Sequence, residues 1–383
     1  MRKLSWSLRR PALWLVLVVG VLLLSACGSR ITNTNWAGLS SDGSRVYLAF
    51  GPQVLAYDPE TKTQSWIYPD KQGTVQFYSA PLAQDNRVIL GDYGRPGGLF
   101  SPRVTVSIYA LENVESGTPR ELWIDSESAA DKIVAPPLQV GDQVFVGTAD
   151  NHVLALNVDD GHLNWDFTAG HAIWGQPAYR DNILYVASMD WSVYALDAAT
   201  GQQIWKTRLD GALPSGPVLG DDLLYVSSFG GSAHALNLKS GDLVWSAPAS
   251  SVVWGAPALA DGTVYFSDIQ GDLHAVDAKT GEEKWIKATG ARVQATPVVV
   301  GDAVYVASQT TDSPPAGMLS AYSIADGNQL WSQKVQAPLA TTPVIVGGDS
   351  IVVGTQDTAA LLIGFNLATG QELWRYALPE TGK

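Results

Sequence analysis

The side chains able to do chemistry are one cysteine, five histidines and aspartates that recur along the chain. Cys27 is the only cysteine, so an internal disulfide cannot form. The histidines lack the mutual spacing of a metal-ligand set, and no Gly-x-Ser-x-Gly nucleophile elbow is present. They are His152, His162, His171, His234 and His274. The sequence therefore predicts no catalytic residue and no metal site.

Two of the histidines and the aspartates follow an internal repeat. His234 and His274 hold one strand position in consecutive repeats, where other repeats have Leu154, Tyr194 or Ile363. The recurring aspartates are Asp142, Asp181, Asp222, Asp261 and Asp302. Because Asp favours hairpin turns, turn chemistry explains this recurrence. These residues are interpreted as structural variants of the repeat.

Cys27 stands at the end of a distinct N-terminal segment. Basic residues near the start precede an apolar run from Ala12 to Leu24. That run is short for a membrane-spanning helix, which needs about 20 apolar residues, and it has the length of a secretory signal. Leu24-Ser-Ala-Cys27 resembles the lipobox of bacterial lipoproteins, which implies a signal peptide over 1–26 and an acylated tether over 27–35. An ordinary signal peptide with an incidental cysteine is the alternative.

The charge of the chain limits its partners. Without the four basic residues of the signal segment, 20 basic side chains face 37 acidic ones, a formal charge of −17. Such a surface argues against nucleic acid and against attraction to anionic lipid. Membrane attachment would depend on acyl chains on Cys27, and stable anchoring takes more than one chain. Gly28 follows the cysteine in place of Asp, which suits an extracytoplasmic protein of an outer membrane or cell surface.

Eight similar segments recur after residue 35 and predict the fold of this part of the chain. They are variants of Ala-x-Asp-x-x-Thr-Gly-x-x-x-Trp at a period of about 40–45 residues, which is typical of propellers and other repeat folds. Four short strands per repeat predict an all-β, eight-bladed propeller of four-stranded antiparallel blades over 36–383. A tryptophan at the same place in each blade would bury a large area between blades. The eight are Trp66, Trp123, Trp165, Trp205, Trp245, Trp285, Trp331 and Trp374.

This pattern resembles the tryptophan-docking motif of pyrroloquinoline quinone (PQQ)-type propellers over residues 36–378. The resemblance implies that each tryptophan packs beside the glycine turn of a neighbouring blade. Departures are expected to weaken single turns; they are Lys62 for Gly, Gly364 for Ala, and Asn157, Asn237 and Asn366 for Asp. Since the repeats run in phase with the blades, the ring is expected to close by side-chain docking and not by a swapped strand.

Seven repeats carry proline at the first strand. Proline cannot donate to a strand ladder, so it belongs at a sheet edge, here the inner edge beside the central channel. The positions are Pro81, Pro137, Pro177, Pro217, Pro257, Pro297 and Pro343.

The resemblance has two functional branches. Quinoprotein dehydrogenases hold PQQ and calcium, and alcohol-oxidising members use adjacent cysteines; this chain lacks such a pair, so PQQ and calcium are not expected. The BamB family of outer-membrane assembly lipoproteins also joins a lipobox to an eight-bladed ring. That branch implies a monomeric, non-catalytic scaffold that binds an envelope protein through loops on one face. A PQQ-dependent dehydrogenase, or an inactive relative of one, remains the alternative.

Aromatic residues mark a candidate binding face. The position three residues before the proline, or its equivalent, holds Trp36, Tyr78, Trp174 and Trp254, and Trp191 and Phe229 lie in loops expected at the same end. Exposed aromatic clusters often mark recognition surfaces for proteins, and they also suit carbohydrate. The rings could instead fill the upper channel.

Overall fold

A computed structural model describes residues 38–95, 104–355 and 357–379 of the 383-residue chain. Regular structure in these ranges consists of strands alone. Cys27 and Trp36, with the predicted signal peptide and tether, lie outside the described residues. No helix in the described part of the chain is long and apolar enough to cross a membrane.

The first four blades use consecutive strands. Blade 1 holds β1 (Gly38–Ser41), β2 (Val46–Phe50), β3 (Gln53–Asp58) and β4 (Thr63–Tyr68). Blade 2 holds β5 (Leu82–Gln84), β6 (Arg87–Gly91), β7 (Ile108–Glu112) and β8 (Glu121–Asp125). Blade 3 holds β9 (Leu138–Val140), β10 (Gln143–Gly147), β11 (His152–Asn157) and β12 (Leu163–Thr168). Blade 4 holds β13 (Ala178–Arg180), β14 (Ile183–Ala187), β15 (Ser192–Asp197) and β16 (Gln203–Arg208).

The remaining blades repeat this order. Blade 5 holds β17 (Val218–Leu219), β18 (Leu223–Ser228), β19 (Ser232–Asn237) and β20 (Leu243–Pro248). Blade 6 holds β21 (Ala258–Ala260), β22 (Thr263–Ser267), β23 (Asp272–Asp277) and β24 (Glu283–Ala288). Blade 7 holds β25 (Arg292–Val293), β26 (Val298–Val300), β27 (Ala303–Gln309), β28 (Gly317–Ser323) and β29 (Gln329–Val335). Blade 8 holds β30 (Val344–Val346), β31 (Ser350–Gly354), β32 (Leu362–Asn366) and β33 (Glu372–Tyr376).

The eight-bladed propeller predicted from the repeat is confirmed. Neighbouring strands pair antiparallel in chain order in every sheet, and none of the described strands crosses into another blade. Blade 7 adds the two-residue β25, which pairs with β27 beside β26. Six of the seven prolines stand one residue before the first strand of their blade, and Pro297 stands one residue before β26. None of the seven lies within a strand, so they leave the strand ladders intact.

Apolar side chains of adjacent blades fill the gaps between sheets. Between blades 5 and 6, for example, Tyr225 and Ala235 pack with Val264 and Phe266, all buried. One blade cannot cover both of its own faces, so each sheet is stabilised by its two neighbours.

Six tryptophans dock in one way on the next blade. Trp245 of blade 5 lies so close to Gly281 of blade 6 that a Cβ on that glycine would stand 2.7 Å from the indole. Its Nε1 donates to the Ala278 carbonyl at 3.0 Å. The same pair of contacts recurs at Trp123, Trp165, Trp205, Trp285 and Trp331. Packing and a directed hydrogen bond therefore fix the spacing of these blades.

The turns that receive the tryptophans tolerate asparagine. Asp277 Oδ1 accepts the N–H groups of Lys279 and Thr280, which closes the turn before Gly281. Asn237 Oδ1 accepts two equivalent N–H groups at 2.9 and 3.1 Å. Because a side-chain amide oxygen accepts these bonds as a carboxylate does, the expected weakening of the Asn turns does not extend to their hydrogen bonds.

Candidate functional site

The first strands and the segments before them surround a central channel of about 780 Å³. Its lining is proline, small and apolar residues with a few amides and hydroxyls, among them Pro177, Ala256, Gln176 and Thr296. The described lining contains no Asp, Glu, Lys, Arg or His. The channel therefore presents an uncharged surface inside a strongly acidic protein.

Three of the predicted aromatic residues line this channel. Trp174 and Trp254 are half-buried there, from blades 4 and 6, while Tyr78 is only 7% exposed and packs edge-on against Tyr93 at 5.1 Å. The Trp174 indole N–H is buried and has no acceptor. The structure thus offers two tryptophans to the channel, whereas Tyr78 is largely part of the packing.

The two loop aromatics differ in their relation to the channel. The Phe229 ring lies 4.9 Å from that of Trp254, so it extends the tryptophan surface toward the loop. Trp191 is 43% exposed, lies outside the channel lining and packs under the Arg208 guanidinium at 4.6 Å. Its loop bonds to the segment before Trp174, since Met189 N donates to the Ala172 carbonyl. Trp191 therefore stands at the same end of blade 4 as Trp174.

The channel does not fit PQQ held with calcium. PQQ carries three carboxyl groups, and calcium takes carboxylate and carbonyl oxygens as ligands. A site for both would need basic side chains and carboxylates, and the described lining offers neither.

In blades 4, 5 and 6, polar side chains form clusters next to the loops that join the second and third strands. In blade 4 Asp190 Oδ2 accepts the Tyr194 hydroxyl at 2.5 Å and the Lys206 ammonium at 3.1 Å. Burial raises the pKa of Asp190, but the hydrogen bonds from Tyr194, Lys206 and Ser188 together with the Lys206 charge outweigh it and hold the pKa below its ordinary value. The ammonium balances the carboxylate charge, so the blade 4 cluster is complete in itself.

Blade 5 builds a second complete cluster from a histidine. His234 Nε2 contacts Asp210 Oδ1 at 2.9 Å, and Nδ1 contacts Ser246 Oγ at 2.8 Å. Burial lowers the pKa of His234 despite the neighbouring carboxylate. Both ring nitrogens have partners, which agrees with a structural role for this histidine.

Blade 6 differs, because two carboxylates lie close to its histidine. Asp268, Asp272 and His274 each offer a ligand atom within 4.8 Å of the others, the one such trio among the described residues. The spacing between the histidines in the sequence did not predict this cluster. The signal lay in Asp268-x-x-x-Asp272-x-His274, where blade 5 has Ser228-x-x-x-Ser232-x-His234.

Comparison with known proteins agrees with this architecture. A family model described as outer membrane protein assembly factor BamB matches residues 113–173, 165–253 and 230–383. A comparison with curated proteins finds no match.

Two solved structures share the fold at low sequence identity. The crystal structure of BamB from Moraxella catarrhalis is 18% identical, with a TM-score of 0.68 over 88% of this chain and 96% of that one. The computationally designed protein Ika8 is 17% identical, with a TM-score of 0.70 over 87% and 96%. The second likeness shows that the fold alone does not carry a function. The family model spans well over half of the sequence, and the chain belongs to the family described as outer membrane protein assembly factor BamB.

Proposed function

We propose that the protein is an envelope lipoprotein, anchored through acylated Cys27, that acts as a non-catalytic scaffold for another envelope protein. Membership of a family named for outer-membrane protein assembly supports a role in that process. The lipobox-like Leu24-Ser-Ala-Cys27 supports the proposed anchoring at the membrane. On this proposal the propeller is a monomeric, rigid platform outside the cytoplasm.

The observation that carries the proposal is the uncharged channel lining with its two tryptophans. Trp174 and Trp254 are half-buried in a lining without charged side chains, and Phe229 continues the surface at 4.9 Å from Trp254. Tryptophan is enriched among the residues that dominate protein interfaces, especially in desolvated pockets. An apolar, uncharged segment of a partner is the chemistry that fits this surface.

The test replaces both channel tryptophans. We expect the double variant Trp174→Ala with Trp254→Ala to lose most partner recovery after cross-linking in intact cells, with its thermal transition retained. Removing one interface hot spot costs about 2 kcal/mol or more, so recovery should fall at least about 30-fold at limiting concentration.

A matched control removes apolar surface elsewhere. Leu243 and Leu330 lie on fourth strands and are 50% and 56% exposed. Leu243→Ala with Leu330→Ala should leave recovery unchanged. Equal recovery from both double variants would contradict the proposal, and glycan binding that only the tryptophan changes abolish would assign the surface to carbohydrate instead.

A further inference from the structure

The blade 6 cluster is organised around a buried carboxylate. Asp268 is fully buried, and its Oδ1 accepts the N–H groups of Gln270, Gly271 and Asp272 at 3.0 to 3.1 Å. Its Oδ2 accepts Ser250 N at 3.1 Å and lies 3.7 Å from His274 Nε2. These bonds hold the Asp268 carboxylate rigidly against the histidine.

His274 has a polar atom that the protein leaves unsatisfied. The residue is 3% exposed, and its Nε2 is buried without a hydrogen-bond partner. The ring is fixed by stacking on Phe266, at 4.6 Å and parallel within 1°. Buried polar atoms are nearly always bonded, so this nitrogen calls for a ligand.

The blade 4 cluster shows what blade 6 lacks. Tyr194 is paired across the sheet with Lys206, whose ammonium contacts Asp190. His274 is paired at the same register with Ile286. Around Asp268 and Asp272, His274 is the one basic side chain within ion-pair distance in the described chain.

The second difference is one of charge. Where blade 6 has Asp268 and Asp272, blade 4 has Ser188 and Ser192. Blade 6 therefore places two carboxylates where blade 4 has hydroxyls, and an isoleucine where blade 4 has the cation. An added cation would supply the missing charge.

We propose that Asp268, Asp272 and His274 form a binding site for a divalent transition-metal ion. One imidazole nitrogen and two carboxylate oxygens suit zinc, which holds such ligands at about 2.0–2.2 Å and leaves a fourth position open when three protein ligands are present. The ligand atoms, now within 4.8 Å, need to approach more closely. Asp272 is half-buried and can turn toward the other two, and it gives the ion a route from solvent.

The site acts on the segment that enters the channel. Ser250 bonds to Asp268, and Val253 forms a β-bridge with Asp268 immediately before Trp254. A bound ion would therefore attach to the carboxylate that already holds this segment in place. The inference stands on the blade 6 geometry and does not depend on the identity of the partner.

The experiment measures zinc binding by the purified full-length chain after treatment with a chelator. We expect one equivalent of zinc by equilibrium dialysis and a zinc-dependent rise in the thermal midpoint. His274→Gln and Asp272→Asn should each weaken binding at least about 10–100-fold, the loss that even an outer-shell change can cause. Asp272 is half-buried, so the second variant tests the site with little disturbance of the core.

His234→Gln is the matched control, because His234 occupies the same strand position one blade earlier with both nitrogens bonded. It should bind zinc as the unchanged protein does. Circular dichroism establishes that each variant is folded. No zinc binding by the unchanged protein, or equal binding by the His274→Gln and Asp272→Asn variants, would overturn the site.

Discussion

The six regularly docked tryptophans and the two beside blade 1 use different contacts for the same task. Trp245 fills the space above Gly281 and donates to Ala278. Trp66, between blades 1 and 2, is 1% exposed, but its N–H has no acceptor. The turn that would receive it is the long one after β7, where Gly117 has nothing within 4 Å of its would-be Cβ. Trp66 therefore contributes burial to this interface without the docking hydrogen bond, while Asn113 Nδ2 donates to the Tyr47 hydroxyl and the Tyr68 hydroxyl donates to Glu121 across the same gap.

Trp374 closes the ring from blade 8 onto blade 1. The glycine of the receiving turn is replaced by Lys62, at φ 57°. Trp374 instead packs against Tyr57, with ring centroids 4.9 Å apart, and the Tyr376 hydroxyl bonds to Gln64. Gly347 N also donates to the Gly43 carbonyl across the same gap. The comparison teaches that repeated docking spaces the blades, while closure uses aromatic packing and bonds particular to blades 1 and 8.

The largest effect is expected where docking is complete. Trp245→Ala removes an 8%-exposed indole from the gap between blades 5 and 6. We expect a loss of about 3–5 kcal/mol, the usual cost of truncating a buried aromatic side chain. The free energy of unfolding from chemical denaturation measures it, and an unchanged midpoint would refute the docking role.

Phenylalanine at two positions separates packing from hydrogen bonding. Trp245→Phe loses the bond to Ala278 and should cost about 1 kcal/mol more than Trp66→Phe, which has no bond to lose. Equal costs would mean that the hydrogen bond adds nothing to docking.

A smaller contrast is expected at the receiving turns. Gly281 has φ 74°, and an added Cβ would meet the Trp245 ring at 2.7 Å. Gly281→Ala should therefore destabilise the protein by about 2–4 kcal/mol, through left-handed strain together with overpacking. Lys62→Gly relieves the same backbone strain at closure and should change stability by less than about 1 kcal/mol, toward greater stability. Thermal melting of both variants measures these changes. Equal losses of stability in the two variants would contradict the prediction.

The smallest effect concerns pH. The N–H groups of Lys279 and Thr280 donate to Asp277 and lower its pKa below 3.8. A depressed folded-state pKa adds stability above the unfolded value, and that stability is lost as pH falls through the folded value. Asp277→Asn should change the free energy of unfolding at pH 7 by less than about 0.5 kcal/mol. It should also reduce the loss of stability below about pH 4.

Asn237→Asp is the converse change in the preceding blade. It should increase the loss of stability at low pH, because it introduces a titrating group at an equivalent turn. Denaturation midpoints across pH 2–7 test both variants, and identical profiles would contradict the assignment.

The sequence by itself determined the number of blades, the strand order and the tryptophans between blades. These depend on local patterns that recur, such as Ala275 to Trp285, and eight copies of a four-stranded unit can bury their faces only against one another. The place of Pro257 outside the strand ladder, one residue before β21, agrees with its missing N–H.

Only the tertiary structure decided which side chains meet across those patterns. It buried Tyr78 while leaving Trp174 and Trp254 at the channel, and it brought Asp268 and Asp272 to an unsatisfied His274. Such outcomes depend on loop paths and on single side chains in facing strands, such as Ile286 in place of a lysine. A periodic pattern records what the repeats share, whereas binding sites arise where one repeat differs from its neighbours.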